Sequence, residues 1–382
     1  MKTNAIDTPP GNVICFSHLR WDFVYQRPQH LLSRFSKSSA VWFFEEPVFD
    51  AQDQHYLSIK SQSPTLNIVV PHLLPHLNAE EINIAQALLL KQLTVNIDLD
   101  DCLFWYYTPM ALTFSDHLKP KLIVYDCMDE LSAFKFAPKE MVQLEKKLMA
   151  KADLVFTGGH SLYEAKKNQH DNIHAFPSGI DKSHFEKARK PLEVPDDQQW
   201  IEGPKIGFYG VIDERFDIEL IREMAEARPE WQFILIGPIV KIDQETLPRN
   251  KNIHYLGQKS YTQLPAYLSQ WDVAMIPFLL NESTQYISPT KTPEYLSAGV
   301  PVVSSLIKDV HHPYGVLDLV HICSDTKDFL RAIESELNKS CHKAWLHKVD
   351  QFLKGVSWEI TYKAMTTKIC LTMNHQKISI AS

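Results

Sequence analysis

The feature that most constrains the fold of this 382-residue chain is a regular alternation of short apolar runs with segments of helical periodicity. Apolar runs of strand length with helices between them predict parallel strands in doubly wound α/β sheets. The alternation occurs in two series, and the chain is longer than one hydrophobic core usually supports, so we predict two domains. The apolar runs span 13–16, 41–44, 68–70, 103–107, 122–125, 154–157 and 174–176 in the first series and 206–209, 233–236, 253–256, 273–276, 300–304 and 320–322 in the second.

Helical periodicity fills the intervals between these runs. The segment 184–197 interrupts the alternation, because it is charged, contains prolines and has no periodicity. Such a segment is typical of a linker, and it predicts a first domain at 1–190 and a second at 198–356. The predicted helices are 29–36, 81–93, 139–150 and 162–168 in the first domain and 218–227, 264–268, 293–298 and 327–337 in the second.

Composition and charge exclude several classes of function. The net charge is −7 and the basic residues are dispersed over both halves, which argues against nucleic acid as a partner. The six cysteines show no Cys-x-x-Cys spacing, so neither a zinc site nor a disulfide framework is indicated. The first ten residues lack the apolar run of a signal peptide, and no apolar run reaches 18 residues. We therefore expect a cytoplasmic protein.

Residues 288–304 carry the strongest local signal for a ligand. Ser288 can cap a helix and Pro289 suits its first position, so we expect the helix to start there. The N–H groups and partial positive charge of a helix start attract anions. Lys291 would add a full charge and Glu294 lies one turn further along the same face, which suits a diphosphate with a ribose beside it. The alternative is an ordinary capped connection, with Lys291 solvated and Glu294 compensating the helix dipole.

The other candidates of the second domain follow the ends of predicted strands, where doubly wound sheets bind their ligands. Gly210 would let the backbone approach a ligand, and Arg215 could fork onto phosphate oxygens. The sequence has no Gly-x-Gly-x-x-Gly and no P-loop, which argues against a dinucleotide oxidoreductase or an NTPase, and it has no Gly-x-Ser-x-Gly elbow. The remaining candidates at strand ends are Gly237, Lys241, Leu256 and Gly257.

The second series resembles the donor domain of GT-B glycosyltransferases of the retaining family 4 type. The segment Pro-Thr-Lys-Thr-Pro-Glu-Tyr-Leu-Ser-Ala-Gly-Val-Pro-Val-Val at 289–303 carries most of the resemblance. Residues 358–364 resemble the terminal helix that crosses back onto the first domain in that fold, so 357–382 are expected to form it. The first series resembles the N-terminal half of a bacterial subgroup that includes teichuronic-acid-type transferases. Supporting matches lie at 17–21, 26–30, 45–47, 125–129, 156–161, 210–215, 236–237, 255–257 and 264–273.

This resemblance implies a GT-B architecture, in which two Rossmann-like domains face each other across the donor site. In such enzymes the second carboxylate of a Glu-x7-Glu pair binds the nucleotide ribose, which corresponds to Glu294. The first carboxylate contacts the sugar, and Tyr286 stands at its position here. Val211 replaces the family's first diphosphate-binding cation, Arg215 stands for the second, and Lys291 would supply the missing charge. The implied donor-binding residues are Gly210, Gly237, Lys241, Leu256, Gly257, Ser288, Thr290 and Glu294.

Charged residues at strand ends of the first domain are candidates for the acceptor side and for catalysis. Arg20 and Arg27 flank the turn after the first strand, where an acceptor or the leaving diphosphate could bind. A structural arginine that stacks on an aromatic ring explains the pattern equally well. Asp126 and Asp129 could orient an acceptor hydroxyl or serve only as loop residues. His160 follows two glycines that suit a close approach or a tight turn.

We therefore predict a transferase that moves a sugar from a nucleotide donor, preferably UDP-linked, to a glycan or lipid-linked acceptor. The resemblance implies retained anomeric configuration, with the leaving phosphate taking the acceptor's proton. No metal is expected, because Asp98-Leu-Asp100 precedes a strand and should lie at the end of the sheet away from the cleft. No cofactor is expected either, since the nucleotide sugar is a substrate. The alternatives are a sugar-nucleotide epimerase of the same fold and a binding module without catalysis. The expected catalytic residues are Arg215, Lys291, Asp126 and His160.

The predicted helix 139–150 leaves two interpretations open. Its lysines suit a solvated surface, which is the commoner case, or a peripheral contact with anionic lipid at the inner face of the membrane. The residues concerned are Lys139, Lys146, Lys147 and Lys151.

Overall fold

The computed structural model describes residues 8–381, with side chains through residue 376. The described chain forms two compact units. Residues 8–177 and 359–381 make up the first unit, and Ser178–Trp358 makes up the second. Within this range, no helix combines the length and the apolar character that a membrane span requires.

The first unit is built on an eight-stranded sheet with strand order β3-β4-β2-β1-β5-β6-β7-β8. All neighbouring strands are parallel except β3 and β4, which form an antiparallel edge. The strands are β1 Asn12–Phe16, β2 Ala40–Phe44, β3 Tyr56–Ser63, β4 Leu66–His72, β5 Cys102–Tyr106, β6 Leu122–Cys127, β7 Leu154–Thr157 and β8 Ile173–Ala175. The helices are α1 Arg27–Phe35, α2 Ala79–Thr94, α3 Leu112–Ser115, α4 Met141–Lys151 and α5 His160–Lys166.

The central strands of this sheet are buried on both faces, as expected when crossover helices cover a parallel sheet. Every residue of β5, β6 and β7 is buried, which explains why these strands read as continuous apolar runs instead of alternating ones. The helix α2 begins at a capping box, in which the Asn78 side chain accepts the Glu81 N–H and Glu81 accepts the Asn78 N–H.

The second unit contains a six-stranded parallel sheet with order β11-β10-β9-β12-β13-β14. The chain moves outward from β9 to β11 and then returns to pair β12 with the other edge of β9, which creates a topological switch point. The strands are β9 Lys205–Tyr209, β10 Gln232–Ile236, β11 Ile253–Gly257, β12 Val273–Ile276, β13 Val302–Ser305 and β14 His321–Cys323. The helices are α6 Lys182–Phe185, α7 Ile218–Ala227, α8 Leu264–Leu268, α9 Lys291–Ala298, α10 Lys308–Val310, α11 Thr326–Leu337 and α12 Lys343–Leu353.

The two Rossmann-like sheets confirm the fold class predicted from the alternation. The segment 184–197 differs from the predicted linker, because Phe185 and Ala188 are buried in the core of the second unit. The chain therefore passes between units at Pro177/Ser178 and again at Trp358/Glu359. The helix α13, Trp358–Ala381, belongs to the first unit from Glu359 onward.

Candidate active site

Three neighbouring strands of the second unit end in glycines with positive φ. Gly210 after β9, Gly237 after β10 and Gly257 at the end of β11 have φ angles of 139°, 143° and 68°. The Gly210 N–H donates to the Ile236 carbonyl at 2.8 Å, and the Gly237 N–H donates to the Gly257 carbonyl at 2.9 Å. A β-carbon on Gly237 would lie 1.9 Å from the Gly210 oxygen. The φ angles favour glycine at all three positions, and at Gly237 the nearby Gly210 backbone also leaves no room for a β-carbon, so the strand ends form a bare edge that a ligand can approach.

Lys291 lies directly over this edge. A β-carbon on Gly210 would lie 2.2 Å from Lys291 Cε and 2.7 Å from Nζ. The ammonium group is 5.5 Å from the ring centroid of Phe208 and 5.7 Å from that of Phe278, within the range of cation–π attraction. Phe208 is on β9 and Phe278 follows β12, so the positive charge is held at the switch point where the crevice of a doubly wound sheet opens.

Glu294, one turn beyond Lys291 on α9, is a buried carboxylate with 5% of its surface exposed. The Tyr209 hydroxyl donates a hydrogen bond to its Oε2 atom. Burial raises the pKa of Glu294 to about 7, although the Tyr209 hydrogen bond and the Lys291 charge favour the ionised form. The backbone N–H of Tyr209 donates to the Tyr295 hydroxyl at 3.0 Å, which fixes α9 against the end of β9.

The start of α9 differs from the prediction. The helix begins at Lys291, and Ser288 precedes it by three residues and does not cap it. The residue before the helix is Thr290, whose side chain makes no capping bond. Pro293 in the first turn has no N–H, so this turn offers an anion fewer donors than the sequence suggested. The end of the helix is as predicted, because Gly299 adopts the left-handed conformation at φ 80°.

The guanidinium group of Arg215 is engaged by a carboxylate of its own loop. Its Nη2 is 2.6 Å from Asp213 Oδ2 and its Nε is 3.0 Å from Asp213 Oδ1, in a bidentate ion pair. The backbone N–H of Arg215 also donates to Asp213, at 3.1 Å. The guanidinium that was expected to bind phosphate therefore stabilises a loop of its own chain.

Two further donor-side candidates lie nearby in the sequence of the second unit. Lys241 is exposed and has a φ of 61°, and Leu256 is partly buried and packs against the core.

Arg27 and Asp126 of the first unit form a buried bidentate pair and do not present their charges to a ligand. Arg27 Nε and Nη2 donate to the two Asp126 oxygens at 3.0 and 2.8 Å, and Nη1 donates to the Phe176 carbonyl at 2.7 Å. The side chains are 3% and 0% exposed. This arrangement corrects the expected roles of Asp126 in catalysis and Arg27 in acceptor binding, and gives both a structural role across 99 residues of sequence.

The other candidates of the first unit differ in environment. Arg20 binds Glu45 at 2.9 Å and the Glu46 carbonyl at 2.6 Å, so it pairs with the Glu-Glu-Pro segment and not with a ring. Asp129 is partly buried after β6, and His160 is exposed at the first residue of α5.

Among the described residues, no group of three or more His, Cys, Asp or Glu side chains is arranged to hold a metal ion.

Sequence reasoning missed the side chains that hold the candidates in place. Tyr209, Phe208, Phe278 and Asp213 were absent from the expected site, although Tyr209 directly precedes the strand-end glycine and Asp213 lies two residues before Arg215. An aromatic residue beside such a glycine, and a carboxylate two residues from an arginine in a loop, are the signals that could have identified them.

Comparisons with known proteins indicate the family and the fold of the chain. Residues 203–339 match the family model described as glycosyl transferases group 1. TuaH of Bacillus subtilis (strain 168), which is named as a teichuronic acid biosynthesis glycosyltransferase, is 22% identical over 293 residues, covering 72% of this chain and 74% of TuaH.

Two solved structures show the extent of the fold. Sucrose-phosphate synthase from Thermosynechococcus elongatus superposes with a TM-score of 0.69 at 14% identity, over 97% of this chain and 100% of that one. HepE of Anabaena, in complex with UDP and glucose, gives a TM-score of 0.65 at 11% identity, over 94% and 98% of the two chains. The chain is a glycosyltransferase of the GT-B fold, and its match to the glycosyl transferases group 1 model lies within the second unit.

A first prediction tests the structural role of the Arg27–Asp126 pair. Arg27→Met leaves a buried carboxylate without its partner, so we expect a loss of about 3–5 kcal/mol in the free energy of unfolding, measured by urea denaturation. As a control, Lys60→Met breaks the solvent-exposed pair with Asp22 and should leave the urea midpoint unchanged. An Arg27→Met variant with wild-type stability but no transfer would return Arg27 to the acceptor site.

A second prediction follows from the raised pKa of Glu294. With a pKa near 4.5 when unfolded and about 7 when folded, Glu294 destabilises the ligand-free protein increasingly as pH rises from 4.5 to 7, because the folded state holds its proton longer. Glu294→Gln should therefore match the wild type below pH 4.5 and exceed it by up to about 3 kcal/mol at pH 8. Thermal unfolding across this range measures the difference, and a pH-independent difference would contradict the raised pKa.

Proposed function

We propose that the protein transfers a sugar from a UDP-linked donor to a glycan or lipid-linked acceptor, with the donor bound at the strand ends of the second unit. The observation that carries this proposal is the Gly210–Lys291–Glu294 arrangement. A diphosphate fits against the bare backbone at Gly210 with its charge facing the Lys291 ammonium. Glu294, one turn further along α9, can accept hydrogen bonds from both ribose hydroxyls once the Tyr209 hydroxyl moves aside.

The chemistry follows from where charge develops. When the bond between the anomeric carbon and the diphosphate breaks, negative charge grows on the leaving phosphate oxygen. A fixed ammonium beside that oxygen stabilises the transition state more than the ground state. Lys291 is the cation that the strand-end geometry favours for this role, while Arg215 holds its loop through Asp213. We infer retention, with the departing phosphate accepting the proton of the acceptor hydroxyl, and no requirement for a metal ion.

The choice of substrates draws support from the comparisons. HepE, which shares the fold, is a complex with UDP and glucose, which favours a uridine nucleotide. The name of TuaH favours an acceptor in cell-surface polysaccharide synthesis. On the first unit, the exposed His160 and the partly buried Asp129 are the residues that we assign to acceptor binding.

A peripheral membrane contact at the inner face is part of this proposal. Phe136 is 64% exposed, with the Lys135 ammonium 5.6 Å from its ring centroid, and Lys139 and Lys146 are exposed nearby in sequence. A basic and aromatic surface of this kind suits anionic lipid. The remaining lysines of the predicted face, Lys147 and Lys151, instead pair with Asp116 at 2.7 and 2.6 Å.

Ribose recognition by Glu294 predicts a specific loss of nucleotide affinity. Glu294→Gln should weaken binding of UDP-glucose and of UDP alike by about ten- to a hundredfold, because an amide accepts fewer hydrogen bonds than a carboxylate. Wild-type affinity, measured by calorimetry, should also fall as pH drops through about 7 and Glu294 takes up a proton, whereas the variant should lack this step. Equal affinities of variant and wild type at pH 8 would leave Glu294 without a role in binding.

The assignment of Lys291 predicts metal-independent turnover. Transfer should survive EDTA, while Lys291→Met should lower kcat by about 10²–10³, the usual cost of losing one preorganised charge or donor. Lys251→Met, at an exposed lysine before β11 at the opposite edge of the same sheet, is the matched control and should retain full activity. Activity that EDTA abolishes and manganese or magnesium restores would overturn this assignment and indicate a metal site.

A further inference from the structure

A second cation lies beyond the ends of β12 and β13 and is not used by the proposed mechanism. Lys308, exposed three residues after β13, holds its ammonium 5.8 Å from the ring centroid of Tyr286 in the connection from β12 to α9. Among the described residues, no carboxylate lies within ion-pair distance of Lys308 Nζ. The adjacent Asp309 is buried, and its charge acts on Tyr314. The structure thus places a lysine and a phenol together at the same edge as the candidate donor site.

The order of the strands locates this pair relative to the donor. Strands β9, β12 and β13 are consecutive and parallel, with Gly207 paired to Ala274 and Ala274 paired to Val302. Neighbouring strands are about 4.8 Å apart, so the end of β13 lies about 10 Å from the end of β9. The end of β13, three residues before Lys308, is therefore separated from the strand end at Gly210 by about the length of one sugar unit.

The direction of α9 indicates which part of the donor reaches this pair. A nucleotide sugar is a linear chain of base, ribose, diphosphate and sugar. With the ribose at Glu294 and the diphosphate at Lys291, the sugar continues past the start of the helix. Tyr286 belongs to the connection from β12 and precedes the first residue of α9 by five residues. A sugar that extends from the start of α9 toward the neighbouring end of β13 would reach the Lys308–Tyr286 pair.

We propose, on the basis of the proposed function, that the donor sugar is a uronate and that Lys308 and Tyr286 bind its carboxylate. The ammonium supplies a charge-assisted hydrogen bond, and the Tyr286 hydroxyl can donate a second one to the same group. The aromatic contact holds the lysine in place without neutralising it, since a ring face attracts a cation but carries no net charge. A neutral sugar offers this ammonium only hydroxyl oxygens, which bind it more weakly than a carboxylate, so the pair favours a uronate donor.

The test compares binding of UDP-glucuronate, UDP-glucose and UDP to the full-length protein by calorimetry. We expect the wild type to bind UDP-glucuronate at least about tenfold more tightly than UDP-glucose. Lys308→Met should abolish this preference while leaving the affinity for UDP and UDP-glucose unchanged, and Lys308→Glu should reverse it. Tyr286→Phe should reduce the preference in part. Lys251→Met, which removes a lysine at the opposite edge of the sheet, should retain the wild-type preference.

The outcomes separate this inference from the proposal on which it rests. A wild type that binds UDP but does not prefer the uronate, or a Lys308→Met variant that keeps the preference, overturns the uronate assignment alone. A protein that binds none of the three nucleotides overturns the donor site as well. Circular dichroism and thermal unfolding of each variant establish that a lost preference does not reflect a lost fold.

Discussion

Gly210 has no side chain, and the space that a β-carbon would fill is occupied by the end of the Lys291 side chain. The local architecture of the site depends on this contact between Gly210 and the Lys291 side chain. It brings a positive charge to the carboxyl ends of β9 and β12, where two aromatic rings fix the ammonium. The same contact sets the position of α9, so Glu294 is carried into the interior beside Tyr209. A larger residue at 210 would displace the cation and the carboxylate together.

Burial of Glu294 costs stability in the ligand-free protein, which the surrounding contacts only partly offset. Its single hydrogen bond from Tyr209 and the nearby Lys291 charge favour ionisation, yet desolvation still raises its pKa to about 7. A carboxylate with spare acceptor capacity in a dry environment gains more from two ribose hydroxyls than an exposed one would. Burial of Glu294 thus has a free-energy cost that a ligand with hydrogen-bond donors can offset. Such a cost is a common feature of functional sites.

The central strands were predictable because they are parallel and buried, so each one is largely an apolar run. The antiparallel edge strand β3 escaped prediction, because most of its residues are exposed and carry no apolar pattern. Glu294 and Lys291 could be found because they lie one turn apart on one helix. The Arg27–Asp126 pair could not, since nothing in the local sequence joins residues 99 positions apart. The pairing of Arg215 with Asp213 was not predicted for a related reason: the chemistry that suits a phosphate suits a carboxylate equally well.

The strand-end cations of this protein lie in two kinds of environment, beside carboxylates or beside aromatic rings. In the first unit, Arg27 and Arg20 are held by carboxylates, so their charges are neutralised within the protein. In the second unit, Arg215 pairs with Asp213, whereas Lys291 and Lys308 lie near aromatic rings, and the Lys291 charge also acts on Glu294. A carboxylate both positions and cancels a cation, whereas a ring face positions it and leaves its net charge in the field of the site. A site that attracts an anionic donor needs a cation whose charge is not cancelled by a carboxylate. A cation with only a structural role can be paired with one.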